Sequence, residues 1–187
     1  MKTKSLHAIT RGGSTGFSLI ELMITLAVLA ILVSLAAPSF QRLIATNRMT
    51  GGANELLSAM QLSRTEALKR RAPVSVCPSA DGATCGGGWG DGWLAVVDSA
   101  AVGSGAVTIG DATDVLRVWQ GLRGDLQFDD PGSLPDFVRF LPDGRADAAG
   151  GVFPFTFQVQ LAACLFDTGR LVEVVATGRS SVREIDC

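Results

Sequence analysis

The chain has 187 residues and a formal net charge of −2, and 47% of its residues are hydrophobic, which suits one domain with an appendage. Residues 1–16 carry three of the 16 Lys and Arg side chains and none of the 18 acids, so the remainder has an acidic excess. This excess argues against broad electrostatic attraction to nucleic acid, although a local basic patch stays compatible with it.

Residues 17–37 form an apolar run that contains one carboxylate, Glu21. As an α-helix the run extends about 31 Å, close to the hydrocarbon thickness of a bilayer. A secretory signal peptide would have a shorter apolar core, and a buried globular helix would not explain the basic leader before the run. The sequence therefore predicts a transmembrane helix. Inserting a carboxylate into the membrane within such a helix costs about 2.5–3.5 kcal/mol of free energy. This cost indicates that Glu21 has a partner and a function.

The residues before the apolar run predict the direction of insertion. Lys2, Lys4 and Arg11 precede it, and the run itself has no basic side chain. By the positive-inside rule the N-terminus lies in the cytoplasm, and the rest of the chain is exported across the membrane.

Residues 38–72 are predicted to continue the same helix as an amphipathic half. Pro38 should kink the axis because proline removes one backbone hydrogen bond. Gly51 and Gly52 are expected to loosen the helix, and Pro73 to end it. Apolar residues recur at spacings of three or four, typical of one buried face: Phe40, Leu43, Ile44, Met49, Ala53, Leu56, Leu57, Met60, Ala67 and Leu68.

After Pro73 the hydrophobic pattern changes to that of short strands separated by turns such as Pro142–Gly144. Strands without intervening helices favour antiparallel sheets. The predicted fold class is therefore α+β, with the long N-terminal helix laying its apolar stripe on one sheet. The predicted strands are Val74–Cys77, Trp93–Val97, Val115–Gln120, Phe137–Leu141, Phe153–Leu161, Leu171–Ala176 and Val182–Ile185.

The four cysteines form two local groups, Cys77 with Cys85 and Cys164 with Cys187. Neither has the spacing of a zinc site or a thioredoxin-like motif. An even count beyond a membrane segment fits two disulfides in an oxidising compartment, for which we favour the local pairings. Buried free thiols are the alternative.

The segment Gly16–Leu22, which reads GFSLIEL, resembles the cleavage and methylation signature of type IV prepilins and pseudopilins, and Pro38 falls where those proteins kink. The stretches Ser63–Cys77 and Gly92–Asp98, with the terminal arrangement of Cys164, Gly178-Arg179 and Cys187, are similar to the GspH/FimT family of minor pseudopilins and minor pilins. The resemblance is dense as far as Asp98 and thin through residues 99–163.

The resemblance implies that a prepilin peptidase cuts after Gly16 and methylates the new amine of Phe17. Glu21 then becomes the fifth residue, and the Phe17 amine of the same or a neighbouring subunit can relieve its charge. Because an ion pair does not fully offset the desolvation cost of a buried charge, the implied role of Glu21 is to set the register between subunits rather than to stabilise them. The alternative is a glutamate that only snorkels to the interface.

The implied protein is a minor pseudopilin or minor pilin, a structural and assembly-priming subunit rather than an enzyme. Its implied partners are the peptidase, other pilins or pseudopilins of the filament, and the assembly platform with its lipid; no cofactor or small-molecule substrate is expected. Secretion and pilus machines both remain open. The expected segments are a leader (1–16), a transmembrane helix (17–37), its amphipathic half (38–72) and a periplasmic β-rich domain (73–187).

The sequence supplies little for catalysis or metal binding. The only histidine, His7, lies in the leader, so no Ser–His or Cys–His nucleophile remains after cleavage. The glycine-rich segment 86–92 lacks the lysine of a phosphate loop and is expected to be a surface loop. Four aspartates without EF-hand spacing are expected to be solvated turn residues rather than a calcium site: Asp81, Asp91, Asp111 and Asp114.

The C-terminal arginines suggest an alternative function, DNA capture for natural transformation. Family members in DNA uptake share a glycine-arginine-any-arginine motif, which Gly178–Arg183 matches imperfectly because its second arginine is displaced by two positions. On an extended strand Arg179 and Arg183 share a face, and Arg170 would join them from an adjacent strand. Three cations would bind DNA only weakly, and ordinary solvated surface or a subunit contact is the alternative.

Overall fold

The computed structural model describes residues 16–129, 134–164 and 168–186, except for the side chains of Pro38 and Ala163. Residues 1–15 of the leader, residues 130–133 and 165–167, and Cys187 therefore lie outside the described residues. The chain divides into two compact units between Gln41 and Arg42. One helix, α1 (Leu19–Arg70), runs through that boundary and is assigned without interruption at Pro38. The predicted kink at Pro38 stays a prediction.

The described part of the first unit, residues 16–41, is mostly the apolar half of α1. Among the described residues, α1 is the one helix long and apolar enough to cross a membrane, with a mean hydropathy of 2.6 and no burial over its most apolar window. The large side chains of this half are all exposed, from Leu19 at 78% to Leu35 at 73%. A surface of this composition is stable only in contact with lipid or with other apolar helices.

The second unit buries one stripe of α1, which begins at Ala45. Its members are spaced by fours and threes, the spacing that keeps a helix face continuous: Ala45, Met49, Ala53, Leu56, Met60, Ser63 and Ala67. The predicted stripe was wrong at Phe40, Leu43, Ile44 and Leu68, which are 65%, 55%, 41% and 47% exposed. The first three precede Ala45, and Leu68 lies one position past the stripe.

The strands form two sheets in which every pairing is antiparallel. The five-stranded sheet has the order β3-β2-β1-β5-β6 and the four-stranded sheet the order β4-β7-β8-β9. The strands are β1 (Val74–Pro78), β2 (Gly92–Val97), β3 (Val115–Gln120), β4 (Leu126–Asp129), β5 (Val138–Phe140), β6 (Ala146–Asp147), β7 (Phe155–Leu161), β8 (Gly169–Val174) and β9 (Ser180–Ile185).

The main hydrophobic core joins the buried stripe of α1 to both sheets. Phe140 contributes from the five-stranded sheet and Phe157 from the four-stranded sheet. The expectation that α1 packs on one sheet was therefore wrong. Gly52 is helical, and a β-carbon there would lie 2.8 Å from Leu122 Cδ2, so its missing side chain permits close packing instead of loosening the helix.

A buried ionic cluster ties the segment after β2 to the sheet. Arg139 on β5 is fully buried; its Nε lies 2.8 Å from Asp98 Oδ2, its Nη1 lies 3.3 Å from Asp147 Oδ2, and its Nη2 donates to Ala106 O at 2.7 Å. Ser75 Oγ donates to the same Asp98 oxygen at 2.6 Å. Burial alone would raise the pKa of Asp98, but the bonds from Ser75, Thr108, Ala100 and Arg139 bring that pKa below its ordinary value.

The predicted α+β, pilin-like class with antiparallel sheets is confirmed. Each predicted strand is present within two residues of its predicted bounds. The sequence interpretation missed β4 and β6, which have four and two residues, too few for a clear alternation of apolar and polar side chains.

Candidate functional site

The start of α1 is organised by Ser18. Its hydroxyl accepts a hydrogen bond from Glu21 N at 3.2 Å, and its carbonyl accepts one from Leu22 N at 3.1 Å. Ser18 is thus the N-cap, and Glu21 occupies the third helical position; the pair has the S-x-x-E sequence of a capping box, of which only the half made by the Ser18 hydroxyl is formed. This signal was present in Ser18–Glu21, but the sequence interpretation did not use it.

Glu21 differs from the other polar side chains of residues 19–37. Thr25 Oγ1 donates to Leu22 O at 2.9 Å and Ser34 Oγ to Ile31 O at 2.7 Å, so both hydroxyls are satisfied within the helix. Within these described residues, the Glu21 carboxylate is the polar group without such an internal bond. Phe17, next to the predicted cleavage point, is 76% exposed, so Phe17 and Glu21 are both open to a partner.

The glycine-rich segment 86–92 is anchored at both ends. The Cys77–Cys85 disulfide precedes it, as the local pairing predicts, and β2 follows it. The segment is not wholly a surface loop: Trp89 is only 4% exposed, its Nε1 donates to Pro135 O at 2.8 Å, and its ring meets Phe157 edge to face at 4.8 Å. Cys164 is not a free thiol, and its predicted partner Cys187 lies outside the described residues.

The four aspartates considered as calcium ligands each accept hydrogen bonds within their own turns. Asp81 accepts bonds from Thr84 N, Ala83 N, Thr84 Oγ1 and Ser79 Oγ, which lower the pKa of its carboxyl well below the usual range. Asp91 accepts from Gly88 N, and Asp111 and Asp114 form a reciprocal capping box. No cluster of three or more potential metal ligands occurs in the described part of the chain.

The three C-terminal arginines are not brought together. Arg179 lies in the turn before β9 and Arg183 within it, and both are exposed. Arg170 on β8 is opposite Glu184, whereas Arg183 is opposite Leu171, so Arg170 and Arg183 project from opposite faces of the sheet. Arg170 is also engaged: its Nη1 lies 2.6 Å from Glu184 Oε2, and its Nε donates to Thr50 Oγ1 at 3.2 Å.

A long, capped, apolar helix whose later half packs on antiparallel sheets defines a class of protein, the type IV pilin-like subunits. The comparisons agree with this class. The model of the prokaryotic N-terminal methylation motif matches residues 11–37. The model described as type II transport protein GspH matches residues 52–178, and the chain therefore belongs to the GspH family.

One solved structure, with a TM-score above 0.5, supports the same fold. The crystal structure of the type IV minor pilin FimU from Pseudomonas aeruginosa matches this chain with a TM-score of 0.53, over 74% of this chain and 90% of FimU. The two sequences are 22% identical. The minor pseudopilin EpsH from the Type 2 Secretion System of Vibrio cholerae is 16% identical, with a TM-score of 0.46 over 74% of this chain and 97% of EpsH. No curated protein sequence gives a significant match.

Proposed function

We propose that this member of the GspH family is a structural and assembly-priming subunit of a type IV pilus or a type II secretion pseudopilus. Residues 17–37 hold it in the inner membrane, with the N-terminus in the cytoplasm and residues 73–187 in the periplasm. A prepilin peptidase removes residues 1–16 and methylates the amine of Phe17. The subunit then enters the filament by packing its helix against those of other pilins.

The observation that carries the proposal is the first turn of α1. The methylation motif covers this turn, its side chains are exposed, and Glu21 is held at a capped helix start with no partner for its carboxylate among the described residues. An unpaired carboxylate in an apolar helix needs a cation from elsewhere. The processed amine of Phe17 on a neighbouring subunit is such a cation, and only one axial offset between helices brings the two together.

Two measurements test the processing and the register. Mass spectrometry of the membrane-extracted protein should show a chain that begins at Phe17 with one added methyl group. Glu21→Val should still be processed but should not enter filaments isolated by shearing, because the offset is no longer specified. Thr25→Val is the matched control, since it removes a polar group one turn away that is satisfied within the helix.

An intact Met1 start would contradict the processing step. Filament incorporation of Glu21→Val equal to that of Thr25→Val would contradict the register. Glu21→Asp should recover part of the incorporation, because it retains the charge on a shorter side chain.

DNA capture is not proposed as the function of this chain. Arg170 is engaged with Glu184 and Thr50 on the opposite face from Arg183, so the patch that the alternative requires is reduced to two cations. The absence of catalytic activity remains a prediction that follows from the structural role of the family.

A further inference from the structure

We infer that the open edge of β3 and the cleft beside it bind an extended, acidic segment of a partner protein, which adds as a strand to the five-stranded sheet. This inference rests on the proposed function for its biological setting, since it gives a filament subunit a second contact surface besides its N-terminal helix. Three features of the second unit support it: a free strand edge, a cleft with a flat wall, and unpaired cations.

The first feature is the free edge. β3 is the terminal strand of its sheet, and no strand among the described residues pairs with its outer side. Ser79 N donates to Gly92 O at 2.9 Å, so Gly92 at the start of β2 turns its carbonyl toward β1. Gly92 is opposite Gln120, and therefore Gln120 and Val118 direct their own N–H and C=O groups away from β2. An extended peptide can satisfy these groups.

The second feature is a cleft of about 510 Å³ that adjoins this edge and is lined by α1, β3, the loop at 121–124 and Leu126 at the start of β4. Gly51 forms part of the helical wall, and a β-carbon there would meet no atom within 4 Å. The wall is therefore flat at this point and leaves room for the backbone of a guest strand.

The third feature is charge. Arg48 on α1 and Arg123 on the loop line the cleft and are exposed, and neither has an ion pair or hydrogen bond among the described residues. Glu55 is the one acid of the lining. The chain after residue 16 has an acidic excess, so two unpaired guanidinium groups here make a local site of the opposite sign. Charge complementarity favours carboxylates on the guest.

The same features favour a peptide over a nucleic acid. A strand edge presents N–H donors and C=O acceptors in alternation, and a second peptide backbone pairs with both. The phosphates of a nucleic acid only accept hydrogen bonds, so a phosphate backbone along this edge would leave the carbonyls of Val118 and Gln120 without partners.

The test measures binding of labelled peptides to the full-length protein in detergent micelles by fluorescence anisotropy. The probe alternates glutamate and valine. One comparator replaces the valines with prolines, which keeps the charge but cannot pair as a strand; a second replaces glutamate with lysine. The variant is the double charge reversal Arg48→Glu and Arg123→Glu. The matched control is the double variant Arg145→Glu and Arg179→Glu. Both arginines are exposed and lie outside the cleft, and the control changes the net charge by the same amount as the cleft variant.

The glutamate–valine peptide should bind, and the cleft variant should weaken that binding by about tenfold or more while the control stays close to the parent protein. The cleft variant should also bind the lysine peptide more tightly than the glutamate–valine peptide. The inference is overturned by absence of binding at millimolar peptide, by equal binding of the proline peptide, or by equal loss in the control. Single-stranded DNA that binds through Arg48 and Arg123 when the peptide does not would likewise overturn it. Neither processing nor filaments are needed, so this result is independent of the Glu21 test.

Discussion

At the level of single residues, Arg139 anchors the loop after β2, because it donates hydrogen bonds to the carbonyls of Ser104 and Ala106 in that loop. A fully buried guanidinium has a high desolvation cost, which is met here by two carboxylates and by the carbonyls of Ser104 and Ala106. The same cluster satisfies backbone N–H groups through Asp98, which accepts from Ala100 N and Thr108 N. The loop is therefore held by this ionic cluster together with Val107 and Ile109, which pack on a small apolar cluster that includes Leu94 and Phe137.

Arg139→Met should lower the free energy of unfolding by about 3–5 kcal/mol, because it leaves the Asp98 charge buried without its counter-ion. Urea unfolding of the detergent-solubilised protein, followed by tryptophan fluorescence, measures this change. The matched control is Arg145→Met, which removes an exposed pair with Asp143 and should cost about 0.2–1 kcal/mol. Equal losses in the two variants would contradict the role given to the buried cluster.

At the scale of elements, α1 meets two different surroundings along its length. Its first half exposes apolar side chains on all sides, whereas the second buries a single stripe that starts at Ala45. The two adjacent glycines illustrate the second half. Gly51 faces open space, but Gly52 lies against the side chain of Leu122.

Gly51→Ala should stabilise the second unit by about 0.5–1 kcal/mol, the difference in helix propensity between the two residues. Gly52→Ala should gain less, since its new β-carbon must displace Leu122 Cδ2 from 2.8 Å. The same unfolding experiment compares the two variants. A gain at position 52 as large as that at position 51 would show that the helix does not pack closely there.

At the scale of the whole molecule, the acids that stabilise turns and loops set the response to pH. Asp98 and Asp147 both have a pKa below the ordinary value of 3.8. Burial raises each pKa, but the hydrogen bonds that each carboxylate accepts lower the pKa by more than burial raises it. A group whose pKa is depressed by folding contributes its stability above the unfolded pKa and loses it as the pH falls toward the folded pKa.

The free energy of unfolding should accordingly be nearly constant above about pH 5 and should fall as the pH drops below 3.8. Urea unfolding at a series of pH values measures this dependence. Stability that rises on acidification through this range would contradict it, as would a value unchanged down to about pH 2.

The features that could be predicted from the order of the residues are those whose physical cause is local. The apolar length of residues 17–37, the glutamate within it, the antiparallel strand class and the short disulfide loop all depend on neighbouring residues and on the hydrophobic period. The Ser18 cap belongs to the same group, since its signal spans only four residues.

The features that depend on residues far apart in the chain are set by the folded structure. It placed Arg139 beside Asp98, 41 residues earlier in the chain, and Trp89 against Phe157 in the core. It also put Arg170 and Arg183 on opposite faces and left Arg48 and Arg123 together at the free edge of β3. Strand order and register set these distances, and neither follows from hydrophobic periodicity, because the same alternation fits several pairings.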